Sequence, residues 1–262
     1  MATPPNRTAR LMEVRQKVWL TPNMIRVTCA GDWITTLEPG IEGAHFKLFL
    51  PAPDQSADAF ADQLENGHRP AVRTYTIRHI RPELGEIDID FVDHGDAGPA
   101  SAWARRCVPG DVAGFAGPGP VKIKDFHAAT YVLAADMSAL PVAAATLEAM
   151  PRDATGTAWL EITTPEDRQD IDAPKGIDIH WLVHPDPAQP ATQSVEKIAA
   201  MPDLGDSVQT CIAGESGMIR ILRDEIVNRR GVPKAEAYIS GYWKIGLIED
   251  EHQQAKRDGT AG

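Results

Sequence analysis

The chain has 262 residues, of which 37 are Asp or Glu and 26 are Lys or Arg, giving a formal net charge of −11. At roughly 150 residues per domain, this length accommodates one large domain or two modest ones. Such an acidic chain is a poor match for a nucleic-acid backbone, which calls for a basic face, and for anionic membrane surfaces. The hydrophobic fraction of 43% and charged fraction of 24% are globular values that leave ample material for a core. The longest run free of Asp, Glu, Lys, Arg and His, Met137 to Leu147, falls far short of the ~20 apolar residues of a spanning helix. The opening M-A-T-P-P-N-R-T-A-R has no apolar h-region, so no secretory signal is expected. Cys29, Cys107 and Cys211 form no C-x-x-C and read as reduced, buried thiols. A soluble, cytoplasmic protein follows as the expectation.

The first ten residues are polar and read as a loose tail. From Arg10 to about Phe115, short β-like runs are divided by Gly, Pro, Asp and Asn. The clearest are Leu11 to Leu20, Met24 to Ala30, His45 to Leu50, Val72 to Ile80 and Ile87 to Val92. In E-I-D-I-D-F-V the alternation sends Ile87, Ile89 and Phe91 to one face and Asp88 and Asp90 to the other. The acidic segment from Pro51 to Pro70 reads as a mobile loop. Short strands in this number predict a closed antiparallel barrel.

The texture changes after Lys124. Y-V-L-A-A, ending at Ala135, is a continuous apolar run, the mark of a buried parallel strand. An Ala-rich helical stretch follows from Ala139 to Met150. Strands are expected at Thr157 to Thr163, Asp178 to His184, Val208 to Ala213 and Ala237 to Tyr242, and helices at Gln193 to Met201 and Ser216 to Arg230. Strands alternating with helices make a parallel α/β layer. The expected organisation is a β-barrel domain over residues 10–124, an α/β domain over 128–247 and a charged tail over 248–262.

Two segments carry chemistry. In Arg73-Thr74-Tyr75-Thr76-Ile77-Arg78, alternation places Arg73, Tyr75 and Ile77 on one face and Thr74, Thr76 and Arg78 on the other. An anionic, planar ligand crossing this strand would meet a guanidinium fork and a ring to stack on. An ordinary exposed strand with cross-strand charge pairs fits the periodicity as well. In the segment from His94 to Trp103, Gly98 permits close approach and Pro99 suits the first helical position. The N–H groups of Ala100 and Ser101 would then face an anion, although a plain capped surface helix satisfies the same residues. Asp136 follows the first strand of the α/β layer, where open sheets bind ligands, and it could equally be a helix-start carboxylate. His180 and His184 lack the Glu of a zincin, and Gly214-Glu215-Ser216-Gly217 is no nucleophile elbow. No metal site is read from the sequence.

Taken together, R-T-Y-T-I-R and D-H-G-D-A-G-P-A-S-A-W resemble the FAD-binding signature of the siderophore-interacting proteins, flavin-dependent ferric-siderophore reductases. G-P-G-P from Gly117, A-D-M-S-A-L-P from Ala135, A-G-E-S from Ala213 and G-Y-W-K-I-G near the end match in the same order. The resemblance implies a ferredoxin-NADP reductase-like architecture, an antiparallel Greek-key flavin-binding barrel followed by a nucleotide-binding parallel-sheet α/β domain. It implies that Arg73 and Thr74 belong to the FAD site, with Arg73 on the pyrophosphate, Tyr75 against the isoalloxazine and Thr76 near flavin N5. Asp93 and His94 would reach the flavin or ribitol edge, and Gly98, Pro99, Ala100 and Ser101 would cradle the phosphates. Asp136, Ser138, Glu215 and Trp243 would line the nicotinamide approach. Relatives usually carry an acidic residue in place of Met137, Trp in place of Cys211 and often Arg in place of Lys244.

The implied activity is electron transfer from NADPH, NADH or a ferredoxin through FAD to the Fe(III) of a siderophore. A general flavin or ferredoxin reductase, and a protein that binds siderophore or flavin without turnover, are the alternatives. Because many ferric siderophores are anionic, Lys47, Arg105 and Lys244 are expected to make the cleft locally positive. A monomer is expected.

Overall fold

The computed structural model describes residues 9–66, 70–96 and 98–247. Of the expected N-terminal tail, Ala9 and Arg10 are described, and Arg10 already opens a strand; the expected charged tail, 248–262, lies outside the described residues. The chain divides between Val121 and Lys122 into two compact units.

In chain order, the first unit contains β1 (Arg10–Thr21), β2 (Met24–Ala30), β3 (His45–Leu50), α1 (Ala57–Glu65), β4 (Ala71–Thr76), β5 (His79–Arg81), β6 (Glu86–Val92), α2 (Pro99–Arg106) and β7 (Val112–Ala116). The strands form one sheet in the order β4-β3-β7-β1-β2-β6-β5, and every neighbouring pair is antiparallel. Its two end members are consecutive in the chain. Ile77 bonds the backbone of Ala44 and Gly43, and the Arg78 N–H donates to the Asp88 carbonyl. The segment expected as one strand from Val72 to Ile80 is therefore bent: it leaves β3 at Ile77, joins β6 from Arg78 onward, and wraps the sheet into a barrel. A strand cannot pair with two partners on different walls of a closed sheet without such a corner.

The interior is filled by inward positions of facing strands, among them Ile25, Val27, Phe46, Leu48, Ile87, Ile89 and Phe91. Asp88 and Asp90 point away from that core as alternation predicts, yet they are only 5% and 4% exposed. Arg26 grips Asp90 with two bonds of 2.7 and 2.8 Å, and Arg81 grips Asp88 with two of 2.8 Å. Thr28 and His79 complete the shell around Asp88. Burial alone would raise the Asp88 carboxyl, but Arg81, His79 and Thr28 hold it well below the usual carboxylate range.

The expected loop from Pro51 to Pro70 holds helix α1. The Ala59 N–H donates to the Ser56 hydroxyl, which caps the helix, and Phe60 is fully buried. A cap and one anchoring ring order a segment whose average composition is polar.

The second unit contains β8 (Thr130–Ala135), α3 (Leu140–Ala149), β9 (Thr155–Ile162), β10 (Gly176–Val183), α4 (Gln193–Ala199), β11 (Val208–Glu215), α5 (Ser216–Arg223) and β12 (Ala237–Trp243). Its sheet runs β10-β9-β8-β11-β12, parallel throughout. The chain steps outward from β8 to β10, then restarts on the other side of β8 with β11. The carboxyl ends of β8 and β11 thus flank the topological switch point, where open α/β sheets form a ligand crevice. The helix expected from Ser216 to Arg230 is α-helical only to Arg223 and π-helical over Asp224–Arg229. The widened turn carries Arg230 back onto Glu225 at 2.9 Å and onto the carbonyls of Ile198 in the last turn of α4 and Met201 just after it. Among the described residues, no helix is long and apolar enough to cross a membrane.

Candidate functional site

In the first unit the site begins on β4. Register pairs Tyr75 with Phe46 and Arg73 with Leu48 of β3, and pairs Thr76 with His45 and Thr74 with Lys47. The Tyr75 ring lies 4.5 Å from Phe91, and Phe91 lies 5.7 Å from Trp103 of α2. Phe91 is fully buried, so one core ring fixes both the strand bearing Arg73 and Tyr75 and the helix 25 positions later. Tyr75 itself stays half-buried, and Thr76 is buried. Lys47 Nζ donates to Thr74 Oγ1 at 2.6 Å.

Gly98 precedes helix α2 in extended conformation, Pro99 opens its first turn, and no side chain caps it. The N–H groups of Ala100 and Ser101 head this helix, with the positive end of its dipole behind them. The His94 ring lies directly over Gly98, where a Cβ would stand 2.8 Å from His94 Cε1. Asp93 organises the loop before the helix. It accepts from Gly95 N–H at 3.0 Å, Ser101 Oγ at 3.2 Å and Arg105 Nη1 at 2.9 Å. Burial raises the Asp93 carboxyl, but Gly95, Arg105 and Ser101 together hold it below the ordinary value. Arg105 also approaches Asp96 at 3.7 Å. A cleft of about 780 Å³ opens beside this helix, lined in part by Pro51, Pro53, Pro70, Pro99 and Arg105.

In the second unit, Asp136 follows β8 at the switch point. Its Oδ1 accepts from Ser138 N at 2.9 Å, Ser138 Oγ at 2.6 Å and Ala139 N at 3.1 Å, and its Oδ2 accepts from Trp243 Nε1 at 2.7 Å. Asp136 is thus a carboxylate at a helix start and also the anchor of Trp243. Burial raises it, outweighing those four donors. Glu215 ends β11 and caps α5, accepting from Met218 N at 2.9 Å and Ile245 N at 3.3 Å.

The structure therefore joins Asp93 with Ser101 and Arg105, Lys47 with Thr74, and Asp136 with Ser138 and Trp243. Lys47 and Arg105 belong to the first unit and Lys244 to the second. Sequence reasoning passed over Glu161, whose carboxyl is pushed up to about 8 by burial and by the charge of Asp136. Its signal was a single charge closing the apolar strand T-A-W-L-E-I.

An antiparallel barrel followed by a five-stranded parallel sheet is the ferredoxin-reductase-like fold. A ferredoxin NADP+ reductase from Neisseria gonorrhoeae shares it, with a TM-score of 0.64 over 90% of this chain and 99% of that one at 12% identity. Family models assign residues 13–122 to the siderophore-interacting FAD-binding domain and residues 128–246 to the siderophore-interacting protein. The ferric vibriobactin reductase ViuB of Vibrio cholerae serotype O1 is 31% identical over 94% of this chain and 93% of its own length. The siderophore-interacting protein SipS from Aeromonas hydrophila superposes with a TM-score of 0.83 at 31% identity, covering 98% of this chain and 100% of SipS. The chain belongs to the siderophore-interacting protein family.

Proposed function

We propose that the protein is an FAD-dependent reductase that takes electrons from NADPH, NADH or a ferredoxin and reduces the ferric iron of a siderophore. The observation that carries this reading is the position of Phe91 between Tyr75 and Trp103. That packing ties the strand that carries Arg73 to the helix that begins, uncapped, after Gly98, a combination suited to a pyrophosphate joined to a planar ring.

The residues fit FAD. Arg73 and the N–H groups of Ala100 and Ser101 would hold the pyrophosphate, with Gly98 and Pro99 shaping the turn. Tyr75 would present the face of its ring to the flavin, backed by Phe91, and Thr76 would hydrogen-bond at the flavin N5 edge. Thr74, whose hydroxyl accepts from Lys47, would hold that strand against its neighbour. Asp93 and His94 would border the flavin or ribitol edge, with Asp93 keeping the helix entry in place. Bound FAD accepts two electrons and releases them singly, the chemistry that converting Fe(III) to Fe(II) requires.

In the second unit, Asp136, Ser138, Glu215 and Trp243 lie at the carboxyl edge of the sheet and would receive the nicotinamide nucleotide. Lys47 of the first unit and Lys244 of the second would each favour an anionic ferric complex. Arg105 would contribute less, because Asp93 and Asp96 already offset its charge.

Anaerobic reduction with NADH and NADPH in parallel, followed by addition of a ferric siderophore and an Fe(II)-specific chelator, tests the proposal. Expected is a yellow protein, bleached by at least one nucleotide or by a reduced ferredoxin, whose colour returns as Fe(II) appears. Turnover with free flavin but not with ferric chelates would assign a general flavin reductase. A colourless protein that cannot be reconstituted with FAD would remove the enzyme reading.

A further inference from the structure

One carboxyl at the switch point has no part in the proposed reduction. Register pairs Ala135 with Leu160 and Ala134 with Ile212, so the next positions set Glu161, Asp136 and Gly214 in one row across β9, β8 and β11. Gly241 of β12, paired with Gly214, continues it. Side chains alternate along a strand, so Glu161 shares the face of Trp159, which packs in one cluster with Ile212, Ile219 and Leu222. Helix α5 supplies two of those residues and therefore covers this face.

Two neighbouring carboxyls held largely out of water cannot both ionise cheaply, and they titrate as a pair. Burial raises both carboxyls, and the four bonds to Asp136 make it the one that ionises first. Asp136 accepts four bonds, three from N–H groups that can only donate. The fourth comes from the Ser138 hydroxyl. A proton on Asp136 would displace one of these donors. Among the described residues, no donor reaches Glu161.

The surrounding groups are these. On β10, Leu182 is the in-register neighbour of Glu161, and His180 lies one step back on the same face, stacked on Trp159 at 6.1 Å. At the start of α5, Glu215 turns both oxygens to backbone N–H groups. Asp167 turns its carboxylate back to Thr164, and Lys244 follows Trp243 in the chain.

We propose that Glu161 is a positioning residue: it carries a proton at neutral pH beside an ionised Asp136, and so leaves the Asp136 carboxylate clamped on the Trp243 indole. Burial and the Asp136 charge set the loss of that proton at about pH 8. Above this pH a second anion stands beside Asp136, and the clamp on Trp243 loosens. The consequence for turnover rests on the reading of Trp243 as part of the nucleotide site; the clamp itself does not.

The test is heteronuclear NMR of the indole N–H resonances of the full-length ¹⁵N-labelled protein across pH 6 to 10, with Trp243→Phe to assign Trp243. The Trp243 resonance is expected to move with a midpoint near 8 in the wild type. In Glu161→Gln, which copies the neutral carboxyl, it is expected to stay at its low-pH position. Glu161→Met, of similar length and without a titrating group, gives the same comparison should the Gln variant fold poorly. A Trp243 resonance that does not titrate in this range, or that titrates unchanged in the variants, overturns the proposal. The resonance is read without nucleotide, so failure of the reductase reading leaves this result untouched, and failure of the clamp leaves the reductase reading untouched.

Discussion

The Tyr75 ring rests against Phe91 with centroids 4.5 Å apart and planes inclined by 41°, a tilted contact between a half-buried ring and a fully buried one. Such a pair contributes about 0.5–1.5 kcal/mol beyond area burial. Tyr75→Phe is expected to retain both the contact and FAD binding. Tyr75→Ala should lose the contact, lower the melting temperature of the apoprotein and weaken FAD about tenfold. Calorimetry and titration with FAD separate the two effects.

Arg73 is expected to matter through its planar fork. A charge-assisted bond of this kind contributes about 1.5–3 kcal/mol, so Arg73→Ala should weaken FAD by about ten- to a hundredfold. Arg73→Lys restores the charge without the bidentate geometry and should recover only part of that loss. Flavin fluorescence during dilution provides the measurement.

Gly214 has φ +148°, and a Cβ there would lie 2.5 Å from Asp136 Oδ2. Gly214→Ala is expected to cost about 1–3 kcal/mol of stability through backbone strain and to push Asp136 off the Trp243 indole. Chemical denaturation gives the first quantity and the indole resonance the second. A variant as stable as wild type would show that the row of residues relaxes freely.

The raised Glu161 carboxyl predicts a pH dependence of stability. Between about 4.5 and 8 the folded chain holds a proton that the unfolded chain has released, so stability falls as pH rises through this window and levels off above it. Glu161→Gln removes this proton difference. The stability of the variant relative to wild type is therefore expected to climb from pH 5 to 8 and stay constant beyond. Urea midpoints at several pH values check the slope.

Asp88 gives the opposite sign. Its depressed carboxyl stabilises the fold above the unfolded value and ceases to do so as pH falls through the folded one. Arg81→Ala removes its bidentate partner and is expected to cost about 2–3 kcal/mol, below the ~3–5 of a fully buried pair because His79 and Thr28 remain. The acid unfolding midpoint followed by circular dichroism should move upward.

Much of this architecture is legible in local pattern. The continuous apolar run before Asp136 reports a strand covered on both faces, and the alternation of Ile87, Ile89 and Phe91 reports one with a single apolar face. Other features escape that logic. Ser56 and Phe60 order α1 inside an acidic stretch whose average composition reads as loop. The corner at Ile77 and Arg78 is invisible in a run that is β-like throughout, since it reflects which partner lies on each side. Glu161 is one charge at the end of an apolar strand, and its meaning comes from a neighbour 25 positions earlier.

By itself, then, the chain's sequence determines most of its strands and helices, the change from a β to an α/β texture near Lys124 and the motifs that mark its family, all properties of short windows. The tertiary structure decides the order β10-β9-β8-β11-β12, the burial of Asp88 and Asp90 beneath arginines, and the meeting of Trp243 with Asp136 across 107 positions. These depend on long-range pairing and on desolvation, which a carboxylate senses from whatever surrounds it in space rather than from its neighbours along the chain.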